Sequence, residues 1–231
     1  MPKSYRITLT EQFDGSSFQL APYVIDYQKS FDGISPSPQT TIYKSRDVIT
    51  LEDFQKYEIV HEMEEKAWGR YNTSIFHSFI RKEKINAFHS NSRRMLLLSG
   101  KKSFVIDFCR KSTNLEGISL NLLTIDMARL LSQLPHIQGV WFRFPNGLIR
   151  ASALMGANIE STADFQKYNA EGEISTLSFY FEHGGITHPI MIVNDCTVVL
   201  YSNYTELSIE IDLVLTVMNS LLKDIMEVQP P

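Results

Sequence analysis

Nine lysines and arginines crowd a short part of this 231-residue chain: Arg81, Lys82, Lys84, Arg93, Arg94, Lys101, Lys102, Arg110 and Lys111. Only Glu83 and Asp107 oppose them, so the stretch carries +7 while the whole chain is −4. Segregated charge of this kind makes a local field that draws anionic partners even on an acidic protein. Gathered on one surface, these groups would neutralise phosphates and release counterions, giving salt-sensitive affinity for nucleic acid or another polyanion. Two plainer explanations compete. Lysines at hairpin tips and strand edges keep edges soluble, and the acidic remainder of the chain can pair with the patch internally.

A second constellation is Glu182-His183-Gly184-Gly185-Ile186-Thr187-His188. If His183 and His188 flank a four-residue hairpin loop, their imidazoles face one another beside Glu182 or Asp195. Such a pair suits metal binding or acid–base work, the chemistry of a metal-dependent hydrolase. Two histidines are too few to specify a metal, and Pro189 beside them reads as a turn restraint, so no metal site is assigned. His61-Glu62-Met63-Glu64-Glu65 has the start of the zinc-protease H-E-x-x-H spacing but places Glu65 where the second histidine belongs. A solvated helix face accounts for it. No phosphate-binding loop, G-x-G-x-x-G or G-x-S-x-G is present, and neither Cys109 nor Cys196 has the context of a nucleophile. Catalytic residues and cofactors are therefore left at none, and an enzymatic role is the weaker expectation.

The elements that must carry these groups follow from pattern. Arg6–Thr10 and Tyr23–Tyr27 read as short strands, separated by the turn signals Asp14-Gly15, Asp32-Gly33 and Ser35-Pro36-Ser37-Pro38. Thr50 reads as the cap of a helix to about Trp68, with Leu51, Phe54, Tyr57, Val60 and Met63 as its apolar side. A second helix is expected from Thr73 to Phe88, its polar face holding Arg81, Lys82 and Lys84. Met95–Leu98 and Phe104–Phe108 read as a hairpin with Lys101-Lys102 at the tip and Arg93, Arg94, Arg110 and Lys111 clustered at the base. A helix at 119–134 ends at Pro135. Hairpins follow at 140–155, around Asn146-Gly147, and at 177–193, around Gly184-Gly185. A polar connection at 160–173 lies between them, and Thr197–Tyr201 is a further strand. The last helix, 206–226 with Thr205 as cap, is apolar nearly all round, so it is buried deeply or shared with a partner.

Alternation along the strands separates two faces. Phe104, Ile106, Phe108, Val140, Phe142, Phe144, Leu177, Phe179, Phe181, Val198 and Leu200 form an apolar face for the helices to cover. The opposite face is mixed. There Trp141, Tyr180 and Tyr201, with Arg143 and Arg150, would make a platform on which bases stack beside groups that take phosphates. Packing beneath residues 1–90 is the plainer use of those rings.

The expected fold is α+β: an antiparallel sheet of about seven strands, two long helices on one face and an N-terminal β-plus-helical region. Residues 1–90 and 91–231 are the candidate domains, or 1–231 is one. No run of about 18 apolar residues suggests a membrane span. The N-terminus lacks a secretory pattern, and two unpaired cysteines suit a reducing compartment, so a cytoplasmic location is expected. The leading functional expectation is a non-enzymatic binding or regulatory module that engages nucleic acid, another polyanion or an acidic protein surface through the basic region. A homodimeric assembly protein using helix 206–226 is the alternative, and the hydrolase centred on His183 and His188 a third.

Overall fold

In the computed structural model the described residues are 2–14, 38–46, 53–71, 73–112, 117–145, 149–202 and 204–229. The expected strand Tyr23–Tyr27, Pro36 of the proline pair, the Thr50 cap and the Asn146-Gly147 turn lie outside them. The architecture is α+β, with four α-helices and twelve strands that pair antiparallel. In chain order these are β1 (Lys3–Phe13), β2 (Thr40–Lys44), β3 (Phe54–Tyr71), β4 (Ser74–Ser90), β5 (Met95–Ser99), α1 (Lys102–Ser112), β6 (Ile118–Ile125) and α2 (Met127–Gln133). Then come β7 (Gly139–Arg143), β8 (Ala151–Met155), α3 (Ala163–Glu171), β9 (Glu173–His183), β10 (Ile186–Val193), β11 (Thr197–Leu200), α4 (Leu207–Val217) and β12 (Met226–Val228). The chain divides into two compact units, residues 9–121 and residues 1–8 with 122–231.

The unit of residues 9–121 is built on β3 and β4, which replace both helices expected between Thr50 and Phe88. The three- and four-residue apolar spacing of Phe54, Tyr57, Val60 and Met63 suits a helix, but burial follows period two. Tyr57, Ile59 and His61 are buried with Ile85 and Ala87, while Glu58, Val60 and Glu62 are half-buried and Lys84 and Asn86 exposed. What decides it is the partner strand. In the β3–β4 register Glu62 stands opposite Lys82, and Glu58 and Glu65 reach Lys84 and Arg81 on the diagonal. The helix propensity of glutamate, lysine and methionine yields to that tertiary pairing. β2 adds to β3 from Thr40↔His61 to Lys44↔Tyr57, and β5 adds to β4 from Asn86↔Ser99 to Ser90↔Met95.

The arm expected as a strand at Phe104–Phe108 is helix α1. Phe104, Val105, Phe108 and Cys109 are buried, a spacing of three and four, whereas Ile106 is only half-buried. Two residues, Gly100 and Lys101, separate β5 from α1, so Lys102 opens a helix and no hairpin tip exists there. The helix lies on β3 and β4 with the rings of Phe104 and Phe108 edge-on to the His61 imidazole, centroids 6.2 and 5.9 Å away.

In the other unit the strand order is β1-β11-β10-β9-β7-β8, with β12 paired to β6. Here the strand alternation holds for Val140, Phe142, Leu177, Phe179, Val198 and Leu200, which are buried, with α2 and α4 against β9, while Phe144 and Phe181 of the expected face are only half-buried. The helix expected at 119–134 is strand β6 followed by the short α2. Asp126 divides the two, its carboxylate accepting from the Ala128 and Arg129 N–H groups as an N-cap. The polar connection at 160–173 contains α3, capped by Thr162. The final helix is shorter than expected. α4 gives way to a π-helical turn at Met218–Leu222, and β12 starts at Met226. Glu206, not Thr205, precedes it and makes no side-chain cap. Both cysteines lie outside strands: Cys109 in α1 and Cys196 in the β10–β11 turn at φ 60°, each buried and neither in a disulfide. Burial, with Asp195 beside it, pushes the Cys196 thiol up to about 12.

Among the described residues no helix is long and apolar enough to cross a membrane. Ile211, Leu213, Val214, Val217, Met218 and Leu222 are buried within the chain, leaving Ile209 the exposed apolar residue of the last helix.

The helical reading of 102–112 has a direct check. Phe108→Ala is expected to lower unfolding free energy by about 3–5 kcal/mol in urea titrations, and Ile106→Ala by about 1 kcal/mol. Equal losses at both positions would restore the strand.

Candidate binding surface

The basic stretch does not converge. Arg81 pairs with Glu83 at 2.7 Å and Glu65 at 3.5 Å, Lys82 with Glu62 at 3.9 Å and Lys84 with Glu58 at 3.0 Å. Lys101 reaches Glu65 at 3.4 Å and lies 5.2 Å from the centre of the Phe104 ring, and Lys111 pairs with Asp107. Five of the nine bases thus hold carboxylates, mostly those of β3. With 15 bases against 14 acids, the unit as a whole is only +1. Arg93 and Arg94 occupy the β4–β5 turn, level with Phe54 of β3. Arg110 and Lys111 end α1, which rests on His61, seven residues along β3 and therefore about 23 Å from that level. Arg94 and Lys102 are exposed at separate places.

The aromatic platform is likewise divided. Tyr180 stands opposite Pro189, and the Tyr201 N–H donates to the Pro189 carbonyl, so the two tyrosines flank one proline, 59% and 46% exposed. Trp141 is half-buried with its ring over Gly139, where a Cβ would come within 3.1 Å of it. Arg143 is opposite Glu173, seven residues or about 23 Å along β9 from Tyr180. Arg150 sits at that same far end, its carbonyl accepting from the Phe144 N–H. The arginines do not border the tyrosines.

His183 and His188 meet across a two-residue turn, Gly184-Gly185 at φ +59° and +74°, instead of a four-residue loop. That geometry needs positive φ twice, which glycine supplies. The rings lie 6.2 Å apart, and each has its own partner: Asp212 Oδ2 at 3.1 Å from His183 Nε2, and the Tyr204 hydroxyl at 2.7 Å from His188 Nδ1. Among the described residues no group of three or more His, Cys, Asp or Glu side chains is arranged to hold a metal.

His61 has a role that its failed zinc motif concealed. It is buried on β3, not on a solvated helix face, with Nδ1 2.7 Å from Thr40 Oγ1 and Nε2 2.9 Å from Asp107 Oδ2. Hydroxyl, imidazole and carboxylate in line are the groups of a nucleophilic triad, but Thr40 and His61 are both buried beyond reach of a substrate. The line instead ties β2, β3 and α1 together. Burial works to raise the Asp107 carboxyl, but hydrogen bonds from His61 and Lys111 outweigh it and hold the group below the usual carboxylate range. No spacing in the sequence announces this line, since His61 and Asp107 are 46 residues apart.

The feature that sequence reading missed is the far half of the β3–β4 hairpin. β2 ends its pairing at His61, with one more bond from the Glu62 N–H to the Gln39 carbonyl, and β5 ends at Asn86. Beyond Glu62 and Lys82, no strand among the described residues flanks the pair, which continues to Tyr71↔Ser74 as a two-stranded ribbon on the order of 30 Å long. A register shift between Lys66 and Gly69 inserts one extra residue into β3. Such a bulge re-aims side chains, and here it turns Trp68 onto His77, ring centroids 4.3 Å apart and perpendicular. His77 shares its side of β4 with Ile75 and Phe79, so Trp68, Ile75 and Phe79 line one face, 81%, 62% and 42% exposed.

No protein-family model matches this sequence, and no curated protein does. A lone two-stranded ribbon is marginal in water, and exposed apolar side chains concentrated on one element mark an interaction surface.

Two outcomes test these assignments. Glu62→Gln with Glu65→Gln should unmask Lys82 and Lys101, so that the protein elutes from heparin at higher salt than wild type. Unchanged elution would mean the acids do not screen the bases. A carboxyl held low in the folded state stabilises above its unfolded pKa and loses that contribution as pH falls through the folded value. Asp107→Asn should therefore lower stability at neutral pH and flatten its decline in acid, read as thermal midpoints over a pH series.

Proposed function

We propose that this chain is a non-enzymatic binding and assembly module whose working surface is the β3–β4 ribbon beyond Glu62 and Lys82. One observation carries the reading: Trp68, Ile75 and Phe79 are exposed together on one face of a ribbon flanked by no strand among the described residues. Aromatic residues in such positions supply most of the binding energy of protein interfaces, because they bury large area with few rotors. The ribbon is held in shape by what it needs least help with, namely cross-strand ion pairs and the Trp68–His77 contact. Its apolar side chains remain available to a partner.

The polyanion reading draws less support, since five of the nine bases already hold carboxylates. Self-association through the last helix also draws less, because its apolar residues are buried within the chain. The hydrolase reading lacks a shared ligand position for His183 and His188.

The test is substitution on the ribbon face, with folding as control. Trp68→Ser and Phe79→Ser should leave the thermal midpoint close to that of wild type. They should weaken association with whatever chain the protein captures by roughly 30-fold or more, the loss of a hot-spot aromatic. Undiminished association in both variants would remove the ribbon as the surface.

A further inference from the structure

We infer that β8 is a docking edge for a second copy of this chain, the two β8 strands pairing antiparallel about a two-fold axis at Ala153. The surface is separate from the ribbon and belongs to the unit of residues 1–8 with 122–231.

The first support is the direction of the main chain. β8 ends the strand order of its unit, and among the described residues β7 is the strand that pairs with it. The Arg150 carbonyl accepts from the Phe144 N–H, and the Gly156 N–H donates to the Gln138 carbonyl, so the even-numbered residues here turn their backbone toward β7. Successive residues of an antiparallel strand alternate. Ala151, Ala153 and Met155 therefore aim their N–H and C=O groups away from β7, where no strand among the described residues meets them. All three are exposed, Met155 by 70%.

The second support is what the edge lacks. Edges are ordinarily kept apart by charge, proline or a bulge. From Ala151 to Asn158 there is neither a charged residue nor a proline. The β7–β8 register also runs without a shift from Gly139↔Met155 to Arg143↔Ala151. A straight, uncharged edge is open to strand addition.

The third support chooses the partner. The register that pairs all five residues of β8 with those of another β8 turns about Ala153. It sets Ala153 opposite Ala153, Ala151 opposite Met155 and Ser152 opposite Leu154. Each large side chain meets a small one, on both faces of the joined sheet. The nearest charge, Arg150, falls opposite Gly156, so no like charges oppose each other. Met155 already stands beside Gly139 of β7 and gains Ala151 of the other copy on its open side. The outward pairs exchange about six main-chain hydrogen bonds. Any extended strand could satisfy those groups, but the exchange of small for large fits β8 to itself. The contact is isologous and closes at two copies.

The experiment places charge on the axis. Ala153→Lys sets lysine against lysine and Ala153→Glu sets glutamate against glutamate, at a side chain that is exposed in the single chain. Sedimentation of the full chain over a concentration series is expected to show wild type in monomer–dimer equilibrium and nothing larger. Each variant alone should show a dissociation constant raised roughly tenfold or more, with circular dichroism and thermal midpoint unchanged. Mixed in equal amounts, the two should recover a one-to-one heterodimer that high salt weakens. Trp68→Ser should dimerise as wild type does. The inference is overturned by a wild type that stays monomeric to the highest soluble concentration, by variants that dimerise undiminished, or by a mixture that fails to recover the dimer. A dimer lost in Trp68→Ser but kept in both Ala153 variants would move self-association to the ribbon, so the two surfaces fail separately.

Discussion

The antiparallel match between an acidic strand and a basic one governs the unit formed by residues 9–121. β3 carries Glu58, Glu62, Glu64 and Glu65, β4 carries Arg81, Lys82 and Lys84, and their register brings the two sets together. No single exposed ion pair of this kind contributes more than about 1 kcal/mol. Their collective effect is on choice of structure. A helix over residues 50–68 would stack Glu58, Glu62 and Glu65 along one side with like charges three and four residues apart, whereas the strand sets each acid against a base. Everything attached to that hairpin follows: β2 and β5 on its near half, α1 across Phe104 and Phe108, and a far half that no strand among the described residues flanks.

The same match explains why the charge anomaly misled as a site while remaining true as a count. Nine bases in a short stretch is a fact of the sequence, but the field they produce depends on where the compensating acids fold. Glu58, Glu62 and Glu65 precede the basic stretch by about twenty residues and return to it through the hairpin. A net of +7 along the chain becomes +1 over the folded unit. Charge read along a sequence is informative only when the local secondary structure does not bring its complement back.

Legibility divided along a physical line. The period of two in β7, β9, β10 and β11 was legible with most of their buried face, because that signal is local; the Gly184-Gly185 turn was legible in place though not in length. Phe104–Phe108 was not, since five residues with apolar side chains at 104, 105, 106 and 108 satisfy either period. Only the placement of Cys109 inward and Ile106 outward separates them. The helix expected at 119–134 failed for another reason: apolar residues on both sides of Asp126 were read as one element, although Asp126 is the cap that divides strand from helix. The polar groups of the interior were the least legible. Glu210 lies fully buried on α4 in a hydrogen-bonded group with Lys3 and Tyr5, more than two hundred residues away, and burial together with Glu210 raises the Tyr5 hydroxyl's pKa. Nothing near Glu210 in the sequence marks it as inward, yet leaving it without those partners would cost several kcal/mol.

Edge strands ordinarily advertise their protection: lysines, bulges and prolines that keep other strands away. The ribbon has two of these devices, charged residues on both edges and a bulge between Lys66 and Gly69, and they need not mean exclusion. Here the charges pair with one another across the ribbon, Glu62 with Lys82 and Glu65 with Arg81. The bulge does not blunt the strand either. Its effect is to bring the Trp68 ring onto the face of Ile75 and Phe79. An apolar face aligned by an inserted residue, beside charges that hold the ribbon's own strands together, marks the ribbon as an interaction surface.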